Sequence, residues 1–206
     1  MIRNLFFDMG GVLVSLDRGK CISAFKAIGI DNFGEFLSAY AQKGFFAKFE
    51  NGDITESEFY DSVRNISNNK CLTDKQIEVA LLAFLTVIEI DKVELLIELK
   101  KNYKLYLLSN INPIAWRRCK ELFKEAKGVD IDSVFEICFL SYELNASKPY
   151  NEIFEKAIKL SGVKPEETLF IDDAKANILT GEEIGFKTLL YDVTTNLPEK
   201  VMEALK

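Results

Sequence analysis

An apolar segment near the start of the chain ends in one acidic residue followed by two glycines. Residues 5 to 13 read Leu-Phe-Phe-Asp-Met-Gly-Gly-Val-Leu, with Asp8 as the acid and Gly10 and Gly11 as the glycines. A continuous apolar run is typical of a strand buried on both faces, as in a parallel sheet covered by helices. Because ligands of open α/β sheets bind beyond the carboxyl ends of such strands, Asp8 is predicted to lie at the functional edge of the sheet.

Three later segments repeat this order of an apolar strand followed by polar residues. The pairs of strand and polar residues are 105–108 with Ser109 and Asn110, 134–140 with Lys148, and 169–171 with Asp172 and Asp173. One cleft is therefore expected to collect these side chains with Asp8.

Helical and strand patterns alternate from residue 91 onward, which indicates βαβ units and a parallel sheet with helices on both faces. The predicted helices are 91–102, 113–126, 150–161, 174–184 and 196–205. The predicted strands after the first are 104–108, 134–140, 168–171 and 186–191.

Residues 15–90 have a different pattern, with no convincing strand and with apolar residues at helical spacing. Thr55 with Glu58 three residues later predicts a capping box that starts a helix. We therefore predict two units, 1–14 with 91–206 as the α/β core and 15–90 as a helical insertion after the first strand.

The composition excludes several classes of function. The net charge of −6 argues against a nucleic-acid partner, which needs a basic patch. The chain has no histidine, so catalysis by Ser-His-Asp or Cys-His and histidine-ligated zinc are excluded. A metal would be held by oxygen ligands, which favours magnesium.

The sequence also predicts the compartment. The longest apolar run, 79–88, is about half the length of a membrane span and lies between Glu78 and Glu89. No signal-peptide pattern precedes the first strand. The four cysteines form no CxxC pair, and we expect a cytoplasmic protein with reduced thiols and no membrane partner.

The order of these motifs resembles that of the haloacid dehalogenase superfamily, whose commonest members are magnesium-dependent phosphatases. The four motifs are Asp after the first strand, Ser-Asn after the second, Lys-Pro ahead of a helix and Asp-Asp after a later strand. The resemblance implies a Rossmann-like parallel sheet sandwiched by helices, with a small helical cap domain at 15–90. It also implies a Mg²⁺ cofactor and a phosphorylated small-molecule substrate.

The resemblance assigns a role to each motif. Asp8 is the expected nucleophile, which forms an aspartyl phosphate, and Lys148 and Ser109 are expected to assist catalysis. Phosphate binding is expected from Ser109, Asn110, Lys148 and Gly11. The expected metal site comprises Asp8, Asp173, Asp172 and the main-chain carbonyl of Gly10, with Asp173 the expected direct ligand of the two adjacent acids.

Each of these residues also has an ordinary structural interpretation. Asp8 could be an acid that hydrogen-bonds at a strand end, the Ser109 motif an ordinary helix cap, and Lys148 an exposed lysine. Asn177, where relatives often carry a second acid, fits a metal shell and a polar helix surface equally well.

The first motif departs from the common family pattern. Family phosphatases usually read DxDxT or DxDxV, and the second acid protonates the leaving group, whereas this chain has Gly10 there. Its DxGxV motif resembles that of a subset that includes sugar phosphatases. We therefore predict a phosphatase acting on a small phosphorylated metabolite, with a sugar phosphate as one candidate. The residues expected to contact the substrate from the cap are Tyr40, Lys43, Phe46 and Glu50.

Two other functions remain open. A protein that lost the general acid could bind a phospho-ligand without turnover. A 2-haloacid dehalogenase would use the same aspartate on carbon without magnesium, although such relatives usually carry an aromatic residue at the position of Gly10. The sequence contains no marker of oligomeric state.

Overall fold

The computed structural model describes residues 1–37 and 43–206, and its main sheet has five strands that are all parallel. The strands of this sheet are β1 (Asn4–Phe7), β4 (Lys104–Ser109), β5 (Ile137–Leu140), β6 (Thr168–Asp172) and β7 (Lys187–Leu190). Their order across the sheet is β5-β4-β1-β6-β7, so β1 lies at the centre. The predicted α/β fold with a parallel sheet is confirmed.

Alternate residues of the central strands pack on opposite faces of the sheet. Leu5 and Phe7 of β1 belong to one buried cluster, whereas Phe6 between them belongs to another. This separation follows from the two-residue period of a strand, and it explains why the strand is apolar at every position.

Ten helices lie within the described ranges. They are α1 (Arg18–Ala27), α2 (Gly44–Glu50), α3 (Glu56–Ile66), α4 (Asp74–Leu82), α5 (Ile90–Leu99), α6 (Pro113–Lys127), α7 (Ser141–Leu144), α8 (Asn151–Ser161), α9 (Lys175–Ile184) and α10 (Leu197–Ala204). Residues of α5, α6 and α10 cover one face of the sheet, and residues of α8 and α9 cover the other. Short 3₁₀ turns occur at Phe33–Glu35, Ile131–Ser133 and Pro165–Glu167.

Helices α1 to α4 form a second hydrophobic unit. Along the chain this unit comes after β1 and before the other strands of the main sheet. Phe25, Phe33, Phe46, Phe49 and Phe59 are all buried in this unit. The predicted capping box is present, since the hydroxyl of Thr55 accepts from the Glu58 N–H and the Glu58 carboxylate accepts from the Thr55 N–H. The exact division at residues 14 and 91 stays a prediction.

The expectation that residues 15–90 contain no strand is wrong. Strands β2 (Val14–Leu16) and β3 (Leu85–Ile88) pair antiparallel in a separate two-stranded sheet. Strands of three and four residues are too short to show an alternating pattern. In addition, Leu85 continues the helical spacing of α4, although that helix ends at Leu82.

No helix within the described ranges has the length and apolar character that a membrane crossing requires.

Candidate active site

The carboxyl ends of neighbouring strands bring Asp8, Asp172 and Lys148 together. Asp8 directly follows β1, Asp172 ends β6, and Lys148 lies in the loop after α7. The Nζ atom of Lys148 lies 2.9 Å from Oδ1 of Asp8 and 2.7 Å from Oδ2 of Asp172. All three side chains are buried, so the interpretation of Lys148 as an exposed lysine is wrong.

The two adjacent acids have different surroundings. Both oxygens of Asp172 are occupied, because Oδ1 accepts from the Ala174 N–H at 2.8 Å and the Asn177 amide donates to both oxygens at 3.0 Å. Asp173 is only half-buried and lines the cavity beside Asp8. This geometry favours Asp173 as the direct metal ligand. Asn177 is buried, so it is not a polar residue of the helix surface.

The electrostatics of the cluster shift several pKa values. Burial, with the charges of Asp172 and Asp173, raises the pKa of Asp8 to about 7, although Lys148 acts in the opposite direction. Burial and the charge of Asp172 raise the pKa of Asp173 to about 6. Burial by itself would lower the pKa of Lys148, but the two carboxylates that it contacts outweigh this effect and raise it.

The acidic cluster fits a divalent cation. Oxygens of Asp8, Asp172 and Asp173 all lie within 4.8 Å of one another. Three carboxylates and one ammonium group leave two negative charges unbalanced, and burial makes that imbalance costly. An all-oxygen donor set is the set that Mg²⁺ prefers. Asp8 and Asp173, with the carbonyl of Gly10, would hold the ion.

Ser109 and Asn110, at the end of β4, have separate roles. Ser109 is buried, lines the cavity and has no hydrogen-bond partner for its hydroxyl among residues 1–37 and 43–206. The side chain of Asn110 instead holds the main chain of Lys148, because Oδ1 accepts from the Lys148 N–H and Nδ2 donates to the Lys148 carbonyl, both at 2.8 Å. The cap of α6 is Asn112, whose side chain accepts from the Ala115 N–H, so neither Ser109 nor Asn110 is that cap.

The two glycines of the first motif lie in different environments. Gly10 lines the cavity, and a Cβ atom added there would lie 3.1 Å from Cδ1 of Leu16 in β2. Gly11 lines a neighbouring cavity that also contains Asp173, and not the cavity that contains Lys148. The expected contact of Gly11 with phosphate therefore stays a prediction that the cavity lining does not support.

The helical unit contributes one carboxyl group to the cavity. Phe46 and Glu50 of α2 line it, as we expected for cap contacts. Burial and the charge of Asp8 raise the pKa of Glu50 to about 8. Lys43 is exposed and does not line the cavity, and Tyr40 lies outside the described residues.

Ser141 supports two segments that line the cavity, and the sequence did not predict this role. It is fully buried at the start of α7, and its hydroxyl accepts from the Ile111 N–H at 2.9 Å and lies 2.5 Å from the carbonyl of Glu50. It thus connects the loop after β4 to the end of α2. No motif marks it, because α7 has only four residues and its burial depends on two segments distant in sequence.

A family model for haloacid dehalogenase-like hydrolases matches residues 2–185. The chain belongs to the haloacid dehalogenase-like hydrolases. The predicted family and its parallel-sheet fold are confirmed. The roles assigned to individual site residues of this haloacid dehalogenase-like hydrolase stay predictions.

Two relatives cover nearly the whole hydrolase. The chain is 37% identical over 190 residues to a D-ribitol-5-phosphate phosphatase from Bacteroides thetaiotaomicron, which covers 91% of each protein. It is also similar to a haloacid dehalogenase family enzyme from Bacteroides thetaiotaomicron solved with magnesium and inorganic phosphate. That similarity has a TM-score of 0.89 and 37% identity, and covers 95% of this chain and 97% of the other.

A third relative is a predicted haloacid dehalogenase-like hydrolase from Porphyromonas gingivalis. The two structures match with a TM-score of 0.92 and 39% identity, over 100% of this chain and 98% of the other. These relatives therefore contain both the helical unit and the α/β core.

Proposed function

We propose that this hydrolase is a magnesium-dependent phosphatase that acts on a small phosphorylated polyol or sugar. The observation that carries the proposal is the contact of Lys148 with both Asp8 and Asp172, beside the half-buried Asp173. Hydrolysis of a phosphate ester needs a nucleophile and positive charge for the phosphate oxygens. Here Asp8 would be the nucleophile, and Lys148 and a bound metal ion would supply the positive charge. The phosphatase and magnesium-bound relatives support the same chemistry.

Asp8 is the proposed nucleophile. Its Oδ1 atom accepts hydrogen bonds from the Met9 N–H at 2.7 Å and from Lys148 at 2.9 Å, which fix the carboxylate at the end of β1. Attack of Asp8 on phosphorus forms an aspartyl phosphate and releases the alcohol, and water then hydrolyses the aspartyl phosphate. Bound Mg²⁺ would neutralise the carboxylates and the incoming phosphate and would polarise the phosphoryl oxygens.

The remaining groups act on the phosphate oxygens. Lys148 supplies a compact positive charge, and the Ser109 hydroxyl supplies a donor without a competing partner in the described part of the chain. Asn112 starts a fifteen-residue helix whose first turn lines the cavity, and the amino end of a helix favours an anion. Asn110 acts through Lys148, because it fixes the main chain of that residue.

The cavity indicates the size of the substrate. Its volume is about 100 Å³, and its walls combine the polar groups above with Leu16, Phe46, Leu81, Phe84 and Leu85. A compact ester fits such a space better than a polymer does. The D-ribitol-5-phosphate phosphatase relative makes a phosphorylated sugar alcohol the first substrate to test. The cytoplasmic location stays a prediction, and no feature described above specifies an oligomeric state.

Hydrolysis of a panel of esters tests the proposal. Phosphate release from D-ribitol 5-phosphate, ribose 5-phosphate and glucose 1-phosphate should require Mg²⁺ and should be abolished by a chelator and by Asp8→Asn. Binding of these esters without release of phosphate by the wild type would instead support the non-catalytic alternative. Release of halide from a 2-haloacid in the presence of chelator would support the dehalogenase alternative.

A further inference from the structure

The proposed reaction needs a proton donor that the first motif does not supply. An alkyl ester leaves as an alkoxide unless its oxygen is protonated, and the water that attacks next must lose a proton. Gly10 has no side chain, and its neighbour Leu16 is a hydrocarbon. A side chain that donates this proton therefore has to come from another wall of the cavity.

Among residues 1–37 and 43–206, four ionisable residues line this cavity, namely Asp8, Lys148, Asp173 and Glu50. Asp8 and Lys148 are paired at 2.9 Å, and Asp173 belongs to the acidic cluster that fits the metal. Glu50 lies outside that cluster and comes from the helical unit. Its carboxylate accepts no hydrogen bond from any group within the described ranges, 1–37 and 43–206.

The main chain of Glu50 is fixed to the α/β core. Glu50 is the last residue of α2, and its carbonyl lies 2.5 Å from the hydroxyl of Ser141. The Asn145 amide donates to the carbonyls of Asn51 and Gly52 at 3.2 Å. A Cβ atom at Gly52 would lie 2.1 Å from the carbonyl oxygen of Tyr142, so this turn packs directly on the core.

The turn after Glu50 also contacts the residue that precedes Lys148. The Ser147 hydroxyl donates to Oδ1 of Asn51 at 2.9 Å, and Ser147 precedes Lys148 in the chain. The turn after Glu50 is therefore held by the loop that carries the catalytic lysine. Contacts of this kind keep a catalytic group at a fixed distance from the reacting atoms.

We propose that Glu50 is the general acid and base of the reaction, replacing the side chain that Gly10 lacks. The inference rests on the proposed phosphatase function. In the first step Asp8 attacks phosphorus, the bond from phosphorus to the ester oxygen breaks, and that oxygen takes the proton of the Glu50 carboxyl group. In the second step water attacks the aspartyl phosphate, its proton passes to the Glu50 carboxylate, and the bond from phosphorus to Asp8 breaks.

The half-buried position of Glu50 in the cavity wall agrees with this role. A carboxyl group that is to donate a proton near neutral pH must retain that proton, and an apolar environment achieves this by disfavouring the charged form. Phe46 and Leu81 line the same cavity as Glu50, and the nearby Asp8 carboxylate acts in the same direction.

The test uses two esters with different leaving groups and the variant Glu50→Gln. D-ribitol 5-phosphate has an alkoxide leaving group that needs a proton, whereas p-nitrophenyl phosphate releases a phenolate that does not. We expect Glu50→Gln to lower kcat for the ribitol ester by about 10² to 10⁴ with little change in KM. With p-nitrophenyl phosphate it should give a burst of one nitrophenolate per site followed by slow turnover. The burst should coincide with phosphorylated Asp8, detected by mass spectrometry.

Asp53→Asn is the matched control, because Asp53 is exposed in the same turn and does not line the cavity. This variant should keep the kinetics of the wild type. Calorimetry should show that Glu50→Gln still binds Mg²⁺ and inorganic phosphate. Glu50→Ala provides a second variant, and added formate should restore part of its turnover of the ribitol ester.

Three results would overturn the role of Glu50 while leaving the phosphatase function in place. The first is that Glu50→Gln turns over both esters within threefold of the wild type. The second is that the variant changes only KM, with a rise for the ribitol ester. The third is that kcat falls equally for both esters and no phosphorylated Asp8 is detected. Absence of turnover by the wild type on either ester with Mg²⁺ would overturn both proposals.

Discussion

The carboxylate of Asp173 packs directly against the main chain of Gly11. A Cβ atom at Gly11 would lie 2.3 Å from Oδ2 of Asp173, and the φ angle of Gly11 is +80°. Glycine is therefore required at position 11 both by its left-handed conformation and by the close approach of a proposed metal ligand.

Gly11→Ala should weaken the binding of Mg²⁺ because the new methyl group displaces Asp173. We expect the dissociation constant, measured by calorimetry, to rise about tenfold, which corresponds to about 1.4 kcal/mol. Gly162→Ala is the matched control, since Gly162 also has a positive φ but a Cβ atom there would meet no atom within 4 Å. Unchanged Mg²⁺ affinity in Gly11→Ala would contradict the proposed role of Asp173.

Lys148→Met should both inactivate and destabilise the protein. The substitution leaves Asp8 and Asp172 buried without their cation, and breaking a buried ion pair costs about 3 to 5 kcal/mol. Urea unfolding at pH 7 measures this loss, and added Mg²⁺ should recover part of it.

Lys200→Met provides the comparison for that measurement. Lys200 forms an exposed pair with Glu203, so its substitution should change the free energy of unfolding by less than about 1 kcal/mol. Equal losses of stability in the two variants would contradict the proposed contribution of the Lys148 contacts.

Ser141→Ala should loosen the connection between the helical unit and the α/β core. It removes the acceptor of the Ile111 N–H and the hydroxyl that lies beside the Glu50 carbonyl, and an unsatisfied buried group costs about 1 to 3 kcal/mol. We expect that loss in urea unfolding, together with a lower kcat for the ribitol ester. Ser62→Ala is the control, because Ser62 is a surface residue of α3 that bonds only within its own helix. A stability of Ser141→Ala equal to that of Ser62→Ala would contradict this account.

Stabilisation of the protein by Mg²⁺ should increase with pH. In the metal-free protein the pKa of Asp8 is raised to about 7 and that of Asp173 to about 6. The folded state then binds more protons than the unfolded state between the ordinary pKa values and these raised values, so these groups make stability fall as pH rises through that window. Mg²⁺ takes the place of the protons.

Thermal unfolding checks this dependence. The rise in Tm caused by a fixed Mg²⁺ concentration should be small at pH 5 and should reach its full size by pH 8. Asp173→Asn should reduce the rise at pH 8. A rise in Tm that is the same at pH 5 and pH 8 would contradict the prediction.

The sequence alone was enough to locate most of the α/β core. The predicted helix 113–126 is observed as α6, Pro113–Lys127, because a proline at its first turn and a clear helical period define it. The buried strands were recognisable because the sheet is covered on both faces, so every residue of β1 after Asn4 is apolar. Strands β2 and β3 and the helix α7 were missed, since each is short and none is a continuous run of buried apolar residues like β1.

The candidate site was only partly predictable in the same way. Asp8, Ser109 and Asp172 could be placed together because each ends a parallel strand, and the carboxyl ends of such strands share one edge. The sequence could not distinguish the roles of the two adjacent acids. Their difference depends on the Asn177 amide and the Ala174 N–H, which occupy Asp172 and leave Asp173 exposed to the cavity.

The order of residues along the chain thus determined the parallel sheet, the helical insertion and the set of strand-end acids, because periodicity and strand ends are local properties. Only the tertiary structure decided which atoms of those groups are in contact. The pairing of Lys148 with two carboxylates, the packing of Asp173 on Gly11 and the entry of Glu50 into the cavity each join segments distant in sequence. Such contacts depend on how helices and loops pack, and no local pattern specifies that packing.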